Sequence, residues 1–325
     1  MAQYGIDYMN NDKIKIGVID SGFDINGCKI KNKIIKKYNF GKEKINIDSN
    51  IQDEHGHGTG VTKIVDDVCD DIEFIIFKVL NEKCQGGDWQ LISALKSAIT
   101  ENIDILNISL GTTNKKEKVI LGELCDLAKQ SGIIIVTTCP NDENTMSFPY
   151  DFESVIKVKG NPKITDFNIY YDSNNIFWGR GVHHLIPWLN GNFTYSGSNS
   201  FSTPYVVIKI VEILKKNRNI DRKNIFEELK KECQPITELK ELIIKEEECN
   251  RLELYKDVKE IIQNLLGKPI ANKRLTLQGM TPELSLEVIK KIEERYHRTV
   301  SYSAYNYIDF EYISNIVNRI RFIDD

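Results

Sequence analysis

Apolar, β-branched runs alternate with amphipathic stretches through roughly the first 210 residues of this chain, and that alternation limits the fold more than any other feature. KIKIGVID (13–20), EFIIFKVL (73–80), DILNISL (104–110), GIIIVTT (132–138) and SVIKVKG (154–160) read as strands. DWQLISALKSAITEN (88–102) and KEKVILGELCDLAKQSG (116–132) space apolar residues three and four apart and read as helices, the second stopped by its glycine. Strands that are apolar along their whole length are buried on both faces. The pattern therefore predicts an α/β fold, a doubly wound and mainly parallel sheet with helices on both faces. Functional residues of such a sheet lie beyond the carboxyl ends of its strands.

Composition removes several classes of function. With 43 basic and 47 acidic residues the net charge is -4, which excludes a global electrostatic grip on nucleic acid. No stretch approaches 18 apolar residues, so no membrane is expected as a partner, and MAQYGIDYMNNDKIKIG lacks the apolar centre of a secretory signal. The 7 cysteines are scattered and odd in number, which argues against a disulfide scaffold and for a reducing, cytoplasmic setting. KIKNKIIKKYNFGKEK (29–44) reads as a solvated loop and extension, or as a docking face for an acidic partner. After Pro204 the pattern turns to helices alone, at 205–217, 221–232 and 250–267. The charged stretch 238–250 is expected to hold a boundary between a first domain, residues 1–240, and a small helical domain, residues 250–325.

Four short motifs carry the chemistry: VIDSG (18–22), DEHGHGTG (53–60), NISLG (107–111) and SGSNSFSTPYVV (196–207). Each alone has a bland reading. Asp20 caps a turn, Ser109 to Gly111 form an ordinary strand exit, and Ser200 belongs to a serine-rich helix cap. The pair His55 and His57 suggests a metal, but no further ligand stands at helical spacing, so none is expected. Together the motifs put an aspartate, a histidine and a serine at strand ends or helix starts of one domain.

The order Asp20, His57, Ser200 resembles that of the subtilisin-like serine proteases. Residues 78–111 and 141–160 resemble that family's strand–loop–helix–strand segment and its oxyanion region, and the likeness covers about residues 10–215. It implies that Ser200 is the nucleophile, His57 the general base and then acid, and Asp20 the carboxylate that orients the imidazole. Asn141 would donate to the oxyanion together with the N–H of Ser200. Ser109, Leu110 and Gly111 would pair with the substrate main chain, with Gly86 and Gly87 on the opposite edge. No cofactor is implied.

The chain also departs from the family. Ser198-Asn199 and Phe201-Ser202 flank the nucleophile where glycine-threonine and methionine-alanine are usual. Phe201 is expected to narrow the cleft. Cys139-Pro140 precede the oxyanion asparagine, and proline there is expected to alter the primary specificity pocket. Gly60-Val61-Thr62-Lys63 is expected to leave the histidine's helix less tightly packed. Only 20 residues separate His57 from Lys78, too few for the family's calcium loop. No long folding propeptide is expected before Asp20, which would suit an intracellular enzyme that folds unaided.

Residues 275–320 weakly resemble acyl or peptidyl carrier proteins, with Pro282 where the phosphopantetheine serine would stand and Ser285 as a poor substitute. The implied activity is hydrolysis of peptide bonds through an acyl-enzyme, with narrow specificity such as leader-peptide removal or precursor maturation. The alternative is a catalytically impaired, protease-fold docking protein in a peptide or polyketide biosynthetic system, whose carrier-like tail binds a biosynthetic enzyme.

Overall fold

The computed structural model describes residues 13–41, 44–142, 144–164, 166–181, 183–239, 253–271, 274–297 and 305–322, with 321 and 322 described by backbone alone. Most of the expected boundary at 238–250, the first 12 residues and Cys249 lie outside the described residues.

The five apolar runs form the centre of a ten-stranded sheet. They are β1 (Ile14–Asp20), β4 (Ile72–Lys78), β5 (Ile105–Ile108), β6 (Ile134–Thr138) and β7 (Ile156–Gly160). Four further strands extend it: β2 (Lys33–Phe40), β3 (Ile45–Ile47), β8 (Tyr170–Tyr171) and β9 (Ile176–Gly179). The two-residue β12 (Gln234–Pro235) ends one edge, and the order is β12-β8-β9-β7-β6-β5-β1-β4-β2-β3. All pairs are parallel except β2 with β3 and β8 with β9. A separate antiparallel hairpin joins β10 (Leu185–Pro187) to β11 (Phe193–Tyr195).

Two apolar clusters cover the sheet. On one face α1 (His57–Val68), α4 (Thr203–Lys216) and α5 (Ile225–Lys231) supply Val61, Ile64, Val206, Ile210 and Leu229. On the other, α2 (Asp88–Ile99) and α3 (Lys118–Gln130) supply Leu91, Leu95, Leu121 and Cys125. A sheet sandwiched in this way hides both faces of its central strands, which is why β1, β5 and β6 carry almost no polar residue before their ends.

Register sets up the site. Ile19 pairs with Ile108, and Ile108 with Thr137. One residue further along, Asp20, Ser109 and Thr138 reach the same carboxyl edge. β1 lies between β5 and β4, where the winding reverses, so the edge beside Asp20 is the crevice that doubly wound sheets use for binding.

Two expectations need correction. The lysine-rich 29–44 segment is not a solvated loop: Lys33–Phe40 is a strand parallel to β4, with Tyr38 and Phe40 buried. A register shift between Ile34 and Lys36 interrupts its alternation and hides the strand in the sequence. The region after Pro204 is not purely helical, since Gln234–Pro235 adds an edge strand beside β8. Helix α1 buries nine of its twelve residues.

Three helices follow, α6 (Glu253–Leu266), α7 (Pro282–Tyr296) and α8 (Ile313–Phe322). They pack Val258, Ile262, Val288, Ile316 and Val317 into a third core. That core also takes in Leu185 of β10, with Tyr195 of β11 against it, so it is built partly from the hairpin. Among the described residues no helix is long and apolar enough to cross a membrane.

Candidate active site

Asp20 is the last residue of β1 and fully buried. Its two oxygens lie 2.8 and 3.0 Å from Nδ1 of His57, and Oδ1 also accepts from the N–H of Ser21. His57 opens α1. A Cβ on Gly58 would collide with the carbonyl of Gly22 and press on Asp20, so glycine lets the helix start come close enough for this contact.

Asp53 fixes the helix start from below. Its carboxylate accepts from the N–H groups of His55, Gly56 and Thr59 and from the Thr59 hydroxyl, at 2.7–2.9 Å. Burial opposes its charge, but these hydrogen bonds from Gly56, Thr59 and His55 prevail and hold the carboxyl below its usual range. For His57 burial works against the imidazolium, yet attraction and hydrogen bonding to Asp20, aided by Asp53, leave it above the ordinary value.

Ser200 sits in the 3₁₀ turn Asn199–Ser202 that leads into α4. Its Oγ donates to the carbonyl of Ser109 at 3.1 Å, and among the described contacts it makes no hydrogen bond to His57. The backbone of this turn is held firmly. The Ser200 carbonyl accepts from Thr203 Oγ1 at 2.9 Å and lies 3.2 Å from Ser109 Oγ, which itself accepts from Asn107 Nδ2. Asn199 is buried: its Oδ1 accepts from the N–H of Gly160, and its Nδ2 reaches the carbonyls of Cys139 and Pro140 at 3.5 and 3.4 Å. The turn is thereby tied to the ends of β5, β6 and β7.

Asn141 is exposed, and its Oδ1 accepts from the N–H of Asn199 at 3.2 Å. Only the oxygen of an amide can meet an N–H, so the NH₂ end of Asn141 is the end that can donate elsewhere.

These groups share a cleft of about 560 Å³. His57, Ser200 and Asn141 line it, as do Gly86, Gly87, Ser109, Leu110, Gly111, Cys139 and Pro140. Asp20 stands behind the imidazole. Phe201 does not narrow the cleft: its ring is buried behind His57, with centroids 4.8 Å apart, and joins the α1–α4 core. Neighbouring residues of a 3₁₀ turn point in different directions, so the nucleophile's neighbour faces inward when the nucleophile faces the cleft.

Several cleft residues escaped the sequence reading: Leu80, Cys84, Asp88, Thr138 and Ser147. The Asn114 side chain donates to Asp88 at 2.7 Å and links the start of α2 to the strand exit after β5. Asp53 and Asn199 carried a signal, standing four residues before His57 and one before Ser200; Trp188, stacked edge-on against His55, carried none. Among the described residues no group of three or more His, Cys, Asp or Glu could hold a metal ion. The six described cysteines form no disulfide with one another.

An oriented imidazole, a hydroxyl and an amide donor on one cleft wall form an arrangement able to transfer an acyl group. The model of the subtilase family matches residues 11–244. The minor extracellular protease Epr of Bacillus subtilis (strain 168) is 24% identical over 237 residues, 69% of this chain and 35% of Epr, so the chain spans about a third of that protein. The major intracellular serine protease of the same strain is 25% identical over 248 residues, 69% of this chain and 76% of that one. The crystal structure of a cold-adapted subtilisin-like serine proteinase superposes with a TM-score of 0.55 at 18% identity, over 70% of this chain and 85% of that chain, a likeness of fold.

Proposed function

The chain belongs to the subtilase family of serine proteases, and from that premise we propose that it is a cytoplasmic endopeptidase of narrow specificity working through Asp20, His57 and Ser200. The observation that carries the reading is the contact of His57 Nδ1 with both Asp20 oxygens, made where His57, Ser200 and Asn141 line one cleft.

The chemistry follows from the geometry. Asp20 keeps the proton on Nδ1, so Nε2 is the free base. The Ser200 hydroxyl gives its proton to Nε2 as Oγ bonds to the scissile carbonyl carbon. The resulting oxyanion is met by Asn141 Nδ2 and the Ser200 N–H. The imidazolium then protonates the leaving amine, the carbon–nitrogen bond breaks, and an acyl-enzyme remains. Water then gives a proton to His57 Nε2 as its oxygen bonds to the acyl carbon, the bond from that carbon to Ser200 Oγ breaks, and the imidazolium returns the proton to Oγ as the acid leaves.

Narrow specificity is supported by the polar link from Asn114 to Asp88, which ties one cleft wall to the other. The cytoplasmic setting is supported by the likeness to an intracellular serine protease. Leader-peptide removal or precursor maturation is the task such a cleft suits. The test compares full-length protein on casein and on precursor peptides. Slow casein turnover with rapid, single-site precursor cleavage is expected; rapid, unselective casein digestion contradicts it.

One observation favours a binding protein without turnover, namely the hydroxyl of Ser200 turned to Ser109. Covalent labelling of Ser200 by a serine-directed phosphonate decides between the two. The further reading of residues 250–325 as a carrier-like docking domain rests on its sequence likeness. Against an attached arm there, Pro282 has no hydroxyl, and Ser285 is fully buried and bonded to Tyr195.

A further inference from the structure

We propose that the C-terminal helical module is a positioning element for the catalytic pair, acting through the β10–β11 hairpin, which it grips at one end and which backs His57 and leads into Ser200. The proposal rests on reading His57 and Ser200 as base and nucleophile.

The module holds the open end of the hairpin. The N–H of Leu185 donates to the Tyr305 carbonyl at 3.1 Å, and the N–H of Tyr307 to the His183 carbonyl at 2.7 Å. Between them Asn306 bridges His184 and also donates to the Pro162 carbonyl at 3.2 Å. Tyr195, the last residue of β11, shares a 2.6 Å hydrogen bond with the buried Ser285 of α7. Leu185 is part of the module's own core.

The tip of the hairpin is held by the loop that comes after Asp20. Asp24, four residues on and buried, accepts from the N–H of Asn190 at 2.7 Å, and Cys28 Sγ donates to the Trp188 carbonyl at 3.2 Å. The Asp24 N–H in turn donates to Thr59 of α1 at 2.9 Å.

Between these anchors the hairpin presses on the catalytic helix. Trp188 occupies the space a Cβ on Gly56 would need, immediately before His57. Its ring lies 5.7 Å from that of His55 and 6.4 Å from that of Phe201, which lies 4.8 Å from that of His57. Only five positions separate Tyr195 from Ser200. A rigid strap anchored at both ends fixes the helix start beneath it and the turn it runs into, and displacements of about 1 Å at such a site cost up to about 100-fold in rate.

The test uses full-length protein with Tyr195→Phe, Ser285→Ala, Asn306→Ala and Trp188→Ala. Two readouts are taken: kcat and KM on a cleavable peptide, and the titration midpoint of the His57 imidazole measured by NMR. The titratable groups facing that ring are Asp20, Asp53 and His55. Trp188→Ala is expected to lower kcat about tenfold or more with KM changed less than about twofold, and the module variants about two- to fivefold. The His57 midpoint should shift in every variant, because both its burial and its contact with Asp20 depend on the strap, and adding Tyr195→Phe to Trp188→Ala should do no further harm. Should Asn306→Ala fail to fold, Tyr195→Phe removes one hydroxyl and carries the test. Unchanged kcat and an unchanged His57 midpoint in the folded module variants overturn the proposal. If the parent protein shows no turnover, the protease reading fails on its own, and the NMR midpoint still decides this one.

Discussion

The hydroxyl of Ser200 points its hydrogen bond at the carbonyl of Ser109, 3.1 Å away, while the imidazole that would take its proton is held by Asp20. Ser109 belongs to the strand exit along which a peptide's main chain would run. Oγ must turn from the Ser109 carbonyl to the His57 side before it can attack. Catalytic hydrogen bonds are often completed only when the substrate is bound. A peptide boronate, which adds Oγ to boron, should therefore bind the parent tightly and Ser200→Ala weakly. Equal affinity for the two proteins contradicts the assignment.

His57 sets the pH dependence. A base must be neutral, so activity falls as pH drops through the His57 midpoint. That midpoint is held above the ordinary 6.5, with burial opposed by Asp20 and Asp53. The acidic limb of kcat/KM should accordingly turn over above pH 6.5. The same pairing stabilises the fold most below pH 6.5, and the contribution fades as pH rises through the raised midpoint. In Asp20→Asn burial acts almost unopposed, so the limb should move below pH 6.5 while kcat falls about 10⁴-fold. A limb that stays in place in this variant argues that another group governs the rate.

Much of this was legible in the sequence, for definite reasons. The five central strands announce themselves because covered faces leave runs rich in Ile, Val and Phe, although β7 alternates with Lys157 and Lys159. Asp20, His57 and Ser200 stand out because each ends or begins an element. Strand β2 was hidden by its lysines and by the register shift at Ile35. The β10–β11 hairpin was hidden because its strands are three residues long, one ends in Pro187, and Leu185 and Tyr195 are covered by residues about a hundred positions away. The direction of Phe201 depends on the turn's geometry, which flanking residues alone do not reveal.

Asn141 should act only in the transition state. Its oxygen is engaged by the N–H of Asn199, and its NH₂ group is offered to charge that develops later. Asn141→Ala should lower kcat by about 10²–10³-fold and leave KM nearly unchanged, the magnitude known from loss of one such donor in a subtilisin. A rise in KM with kcat preserved would place Asn141 in ground-state binding instead.

Stability should not depend on a bound metal. The described residues include no cluster of three or more His, Cys, Asp or Glu side chains able to hold one. With only 20 residues between His57 and Lys78, too few for the family's calcium loop, adding a chelator is expected to leave Tm where it was. A large drop in Tm, reversed by calcium, would reveal a site elsewhere in the chain.

The most direct test of the central claim is covalent labelling. Full-length protein is incubated with a serine-directed fluorophosphonate, the intact mass is measured, and the adduct is mapped. The account predicts a single adduct on Ser200, formed faster as pH rises through the His57 midpoint, slowed about 10⁴-fold or more in His57→Ala and absent in Ser200→Ala. No adduct on the folded parent protein, or an adduct on another serine, would contradict it.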